Sequence, residues 1–372
     1  MKKLFTGALL ILVFFLKSQV QLTGITEDTI TVNLKNGVKE YYENVYKAQD
    51  EIVKNNLDKA INYYFKAFSN KMPFYKDLRN LELAIFNNGV DSSAFAEFFM
   101  LKYKHGGGRH NSKDFYNLYL DYEKYDTLNY YKNLSSILDT VKIDVLYDSA
   151  LEKQLLDIFN KDQSIRDAYA SENGNPEYMQ KLRKVDSLNL DEVLQLYKNN
   201  QITFTTCGNG MNAVDIVLTH SINKLDLFLP TILNEVYSGN FDARLFAEII
   251  DNYKYLEDSY YGIHLGEIMF NKYIVKIPSK ERLNEINERR NLIFLDSILN
   301  VEKQTIFTIQ SDLDWNFYIY KTNYVCGEAF YIQPNERDEF IKENYKKYIE
   351  LQEKEIQKIK DRGFEIIEYD IY

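Results

Sequence analysis

The chain has 372 residues, 45% of them hydrophobic, and a formal charge of −10 at pH 7. That length suits two or three packed units. The acidic balance excludes a nucleic-acid surface and a polybasic contact with anionic lipid, both of which need clustered Lys and Arg.

The first residues have the three parts of a secretory signal. Lys2 and Lys3 form a basic start, Leu4 to Leu16 is almost unbroken apolar sequence, and Lys17 to Gln21 is polar. The apolar run falls well short of the roughly 20 residues that span a bilayer, so it reads as a cleaved export signal rather than an anchor. Residues 1–20 are assigned to it, with cleavage expected near Ser18 to Val20. No cysteine lies there to carry a lipid. The expected location is periplasmic, outer-surface or secreted. Loss of Lys2, Lys3 and Lys17 would leave the remainder still more acidic. No later stretch is long and apolar enough to span a bilayer, so no stable membrane insertion is expected after cleavage.

Residues 22–34 alternate weakly and suit a linker or edge strand. From 36 to 145 the pattern is helical. Leu57, Ala60, Ile61, Tyr64, Ala67 and Phe68 recur on one face at a 3.6-residue period, and Pro73 ends that run. A second apolar stretch, Leu81 to Phe86, stops at Asn87-Asn88-Gly89, and a further one runs from Ala94 to Tyr103. Small residues at Ala48, Ala60 and Ala67 and the aromatic Tyr64 resemble the tetratricopeptide repeat, although its usual Trp and Gly are absent. The resemblance implies a stacked helical array that binds a protein or peptide. His105-Gly106-Gly107-Gly108-Arg109-His110 follows. It lacks the Lys-Ser/Thr pair of a phosphate loop and a third metal ligand, and reads as a flexible loop. Residues 114–140 suit a joining helix or two.

Beyond Leu151 the text changes. An amphipathic helix ends in Asp162-Gln163-x-x-Arg166, followed by Asp186-x-x-Asn189 and a helix from Asp191 to Tyr197. Then come the Cys207-Gly208-Asn209-Gly210 turn, a helix from Ala213 to His220, and one from Pro230 to Tyr237 stopped by Gly239. Another spans Ala243 to Tyr253, followed by Tyr261-Gly262 and then the stretch Leu283 to Arg290 ahead of Leu295. The order of these pieces over 150–297 resembles the bacterial family catalogued as domain of unknown function 6624. The matching positions are Asp162, Gln163, Arg166, Asp186, Asn189, Gly208, His220, Tyr261, Gly262 and Arg290. The chain departs from that pattern at Asp251-Asn252, where Asp-Arg is usual, at Ile263-His264, where Thr-Gln is usual, and in lacking a Trp-Pro step before the glycine turn. The resemblance implies a fold and no particular activity.

Asp162, Arg166, Asp186 and His220 are the residue types of an acid–base site, with Gln163, Asn189, Asp251, Tyr261 and Arg290 as binding candidates. Each also has a plain structural use. Asp162 and Arg166 stand four apart and can pair on one helix. His220 follows an apolar run, and Asp186 and Asn189 are good helix caps. No metal or cofactor motif is present: two cysteines and four histidines lack ligand spacing. Cys207 and Cys326 read equally as a disulfide or as two buried thiols.

The segment 300–372 changes period. Thr305 to Gln310, Asn316 to Tyr320 and Tyr324 to Ile332 read as strands. A helix is expected from Asn335 to Arg362, and a last strand over Phe364 to Tyr372. The predicted architecture is mainly α: a helical-repeat N-terminal region, a helical central domain and a small α+β C-terminal appendage. The function suggested first is a non-catalytic binding or scaffold module. The alternative is a hydrolase with a His/Asp/Arg site in the central domain. Convergence of Asp162, Arg166, Asp186 and His220 within hydrogen-bond reach would favour the hydrolase.

Overall fold

A computed structural model describes residues 37–89, 94, 97–98, 101, 148–171, 175–199, 201–203, 206–221, 224–253, 260–263, 265–269, 272–311, 315, 317, 323–324, 350, 353–354 and 356–370. The export signal, the 105–110 glycine loop, the 114–140 segment and Cys326 lie outside them. The architecture is mainly helical, as the periodicity predicts. Among the described residues, no helix is long and apolar enough to cross a membrane.

The described residues begin with three helices, α1 (Val38–Val53), α2 (Leu57–Asn70) and α3 (Tyr75–Asn87). The break between α2 and α3 falls at Pro73, as expected from its missing N–H. Ala48, Ala60, Ala67 and Tyr64 are fully buried, so the small-residue positions let α1 and α2 approach closely. Next come α4 (Ser149–Ser171) and α5 (Pro176–Lys198). Asn175 caps α5 by accepting from the Glu177 N–H, and Pro176 occupies the first helical position, where no donor is needed. A 3₁₀ turn (Gly208–Gly210) leads into α6 (Met211–His220). It lies tightly on α4, since a Cβ on Gly210 would come within 2.7 Å of Leu155. Then follow α7 (Leu225–Tyr237) and α8 (Ala243–Tyr253). Pro230 sits inside α7 rather than at its start, because the helix begins a turn and a half earlier.

The remainder differs from the sequence expectation. A hairpin of β1 (Gly266–Met269) and β2 (Lys272–Ile277) precedes α9 (Lys280–Leu292) and α10 (Ile298–Gln310). Thr305 to Gln310, expected as a strand, is therefore helix. Its threonines fold their hydroxyls onto the helix backbone, Thr305 to the Val301 carbonyl at 2.7 Å and Thr308 to that of Gln304 at 2.8 Å. The strands β3 (Asn323–Tyr324) and β4 (Glu365–Asp370) complete a sheet of order β3-β1-β2-β4. Of the described residues in the second and third expected strands, Phe317 is not strand and Tyr324 is. β2 pairs antiparallel with β1 and β4, and β1 pairs parallel with β3. The closing strand agrees with the alternation read over Phe364 to Tyr372. Residues 356–361, ahead of Gly363, are helical as predicted. Alternate side chains of β2 face opposite sides: Val275 packs with Ile286 and Ile298, Ile274 with Ile359.

One continuous apolar core runs from Val38 to Phe317 and includes both the N-terminal helices and α4 to α8. At its centre lies a polar clasp. The fully buried Arg244 donates Nη1 and Nη2 to the two Asp77 oxygens at 2.6 and 2.7 Å, and also holds Asp242. Tyr41 donates to Asp77 at 2.5 Å while accepting from the Phe74 N–H. Tyr42 accepts from the Ala243 N–H at 2.9 Å. The Lys71 ammonium sits over the Tyr41 and Phe74 rings, 4.3 and 3.7 Å from their centroids.

Two outcomes are expected. Asp77→Ala strips the Arg244 guanidinium of its bidentate partner inside the core, so it should cost about 3–5 kcal/mol in a urea titration. Burial pushes the Lys71 ammonium down from its ordinary 10.5 to about 7, against the favourable charges of Asp77 and Asp242. Between those two values the unfolded chain binds the proton that the folded one does not. Stability should thus rise as pH climbs from about 7 towards 10.5, and Lys71→Met should flatten that rise.

Candidate functional site

Three helices bring the predicted polar residues together. Asp162 and Arg166 lie on α4, Asp186 on α5 and His220 at the last position of α6. Asp186 and Asn189 are mid-helix, so neither is the cap that its residue type suggests. Mid-helix placement one turn apart turns both to the same side of α5.

Asp162 is buried and receives four donors. Gln163 Nε2 reaches one oxygen at 2.7 Å and Arg166 Nε the same oxygen at 3.0 Å. Arg166 Nη2 reaches the other at 3.2 Å, and His220 Nδ1 stands 3.1 Å away. Arg166 Nη2 also bonds Asp186 at 2.5 Å, so one guanidinium bridges two carboxylates. Ligating atoms of Asp162, Asp186 and His220 all fall within 4.8 Å of one another.

These surroundings push the two carboxyls apart. Burial opposes ionisation of Asp162, but the hydrogen bonds and charges of His220 and Arg166 outweigh it and hold it below the usual carboxylate range. Partial burial and the Asp162 charge push Asp186 up, and this prevails over Arg166, His220 and Lys224. Lys224, just before α7, is a cation at this site that the sequence reading missed. It stands on a polar turn between helices, and nothing in its spacing connects it to Asp186.

The donor set decides what the cluster can hold. An ionised carboxylate offers about four lone-pair sites, and Asp162 has all of them occupied. A divalent cation would have to displace Arg166 or His220 from it. The arrangement is that of an orienting carboxylate. An ionised Asp162 fixes the Nδ1–H tautomer of His220 and leaves the Nε2 lone pair without a protein partner among the described residues. His220 and Arg166 are about a quarter exposed, at 27% and 26%, which keeps both within reach of a solute. Arg166 Nη1 likewise has no partner among the described residues.

The other candidates serve elsewhere. Asp251 is fully buried and accepts the Tyr261 and Ile263 N–H groups at 2.8 and 2.7 Å. Arg290, also buried, donates Nη1 to the Tyr261 carbonyl at 2.6 Å. Together they lock the Gly262 turn, whose φ of +76° and crowding against Ile298 require glycine. Asn189 is buried, with Nδ2 unpartnered among the described residues. Cys207 is a free thiol in the core, and burial pushes it up to about 12, far from a reactive thiolate. Comparison with family models, curated proteins and solved structures finds no match to this chain.

Because Asp162 is held ionised by its partners, it stabilises the fold above its unfolded pKa. That contribution should fade as pH falls through its depressed folded value. Urea midpoints between roughly pH 5 and pH 2 should fall for the wild type and fall less for Asp162→Asn.

Proposed function

We propose that the α4–α5–α6 cluster is the acid–base centre of a hydrolase acting on an ester that carries an anionic group. One observation carries this reading. A buried, fully engaged carboxylate orients His220, while His220 Nε2 and Arg166 Nη1 remain unengaged beside each other's partners. His220 Nε2 takes a proton from water as the water oxygen attacks the ester. The imidazolium returns that proton to the departing alkoxide, giving acid and alcohol and restoring the site. Arg166 anchors the anionic group, with Lys224 adding positive potential. Asp186, with its raised proton affinity, stands within one water's span of His220. A pair of carboxyls driven to opposite proton affinities is the pattern that separates acid from base roles.

The binding or scaffold reading keeps one specific support: the same bonds tie three helices together, and such a cross-link needs no reaction. Export, with the leader removed, belongs to both readings.

The protein should be assayed with p-nitrophenyl phosphate and p-nitrophenyl hemisuccinate, with p-nitrophenyl acetate as the neutral control. His220→Ala should lower kcat by about 10²–10⁴-fold. Arg166→Met should raise KM for the anionic esters and leave it unchanged for the acetate. Absence of turnover, or turnover unchanged in His220→Ala, would return the cluster to a structural role.

A further inference from the structure

The reaction assigned to the α4–α5–α6 cluster leaves one chemical requirement unmet. When water adds to an ester carbonyl, the carbonyl oxygen gains negative charge, and that charge needs a fixed hydrogen-bond donor. Arg166 and Lys224 serve the anionic group, and Gln163 Nε2 is spent on Asp162. Asn189 supplies an unspent donor. Its carboxamide makes no hydrogen bond among the described residues, although the residue is only 4% exposed. Unlike Asp251 and Arg290, its side chain ties no turn in place.

Its position follows from the helix pairing. α4 and α5 run antiparallel, joined by Gln154 to Glu192 at 2.9 Å and by Arg166 to Asp186 at 2.5 Å. Asn189 lies midway between the two α5 partners. It therefore stands level with residue 160 of α4, between the buried Ile158 and Asp162. It also shares the Asp186 side of α5, one turn on. Nδ2 is sealed from solvent, whereas Oδ1 is not. With neither atom bonded, the broad terminal torsion lets the amide turn an N–H outward when an acceptor arrives. Ser221 Oγ, next to His220 in the chain, is also unpartnered among the described residues, but it is sealed.

We infer that Asn189 Nδ2 is the oxyanion donor of this centre, and that the substrate is a carboxylic ester bearing an anionic group. The inference rests on the hydrolase reading and narrows it. One neutral donor matches the single oxygen of a carbonyl, whereas a phosphoryl group presents three. The water oxygen bonds to the carbonyl carbon as His220 Nε2 takes its proton, and the C=O π pair moves onto the oxygen beside Asn189. The pair returns as the bond to the alcohol oxygen breaks, and the imidazolium proton passes to that oxygen.

The test compares p-nitrophenyl hemisuccinate with its thionoester, in which sulfur, a weaker acceptor, replaces the carbonyl oxygen. Asn189→Leu should lower kcat for the oxygen ester by about 10²–10³-fold and leave KM within about twofold. It should also narrow the oxygen-to-sulfur rate ratio by at least about tenfold. Both rates come from one sample, so the ratio is insensitive to any loss of folded protein. The urea midpoint should hold or rise, because an unpaired buried amide gives way to an apolar group. An unchanged ratio, or a wild-type kcat in Asn189→Leu while His220→Ala is inactive, overturns the Asn189 assignment and leaves the hydrolase reading standing. So does turnover of p-nitrophenyl phosphate without turnover of the hemisuccinate. Absence of turnover of every ester overturns both.

Discussion

A single guanidinium in the core governs how this chain is assembled. Arg244 is fully buried, and a charge in that position is tolerated only when its partners are equally committed. Asp77 and Asp242 supply them, one from α3 and one from two residues upstream. Tyr41 and Tyr42 then use their hydroxyls to satisfy both a carboxylate and a backbone N–H each. Every member of the network sits where α1 to α3 meet α8. The apolar core around it contributes most of the driving force, but apolar packing tolerates small slips. Directional bonds to Arg244 do not, so they fix the register between the N-terminal helices and the rest.

The Asp162 cluster follows the same logic with a different outcome. There too an arginine joins two carboxylates from separate helices. The difference lies in solvent access: Arg244 is enclosed, whereas Arg166 and His220 reach the surface. Enclosure spends every donor on internal partners and yields a fastener. Partial exposure leaves Arg166 Nη1 and His220 Nε2 with capacity for a solute. Asp162 beneath them keeps the geometry stiff, because four donors from two helices hold one side chain in place.

The sequence carried the helical periodicity well. The pattern located α1 to α4, the last third of α5 and α6 to α8, and the glycine stops at Gly239 and Gly363 fall where helices end. Residue chemistry also singled out Asp162, Arg166, Asp186 and His220, because carboxylates, Arg and His near apolar helices are unusual enough to notice. Three features were illegible for physical reasons. Thr305-Ile306-Phe307-Thr308-Ile309 is rich in β-branched residues, yet tertiary packing against α1 and α9 and the back-bonded threonines make it helix. The β1–β2 hairpin is short, and its alternation from Glu267 to Ile277 was passed over between the Tyr261-Gly262 step and the next helix. The Arg244–Asp77 bond joins residues 167 apart, and no local pattern announces a partner at that distance. Lys224 looks like any surface charge until the fold places it near Asp186.

That long separation has a bearing on how the chain is made. Asp77 leaves the ribosome well before Arg244 is synthesised. At roughly 5–20 residues per second, the intervening 167 residues take about ten to thirty seconds. During that interval α1 to α3 must either hold a lone carboxylate out of their interior or stay loosely packed. Completion of α1 to α3 is thus tied to the arrival of a residue about two-thirds of the way through translation, and this vectorial delay is written into the position of one arginine.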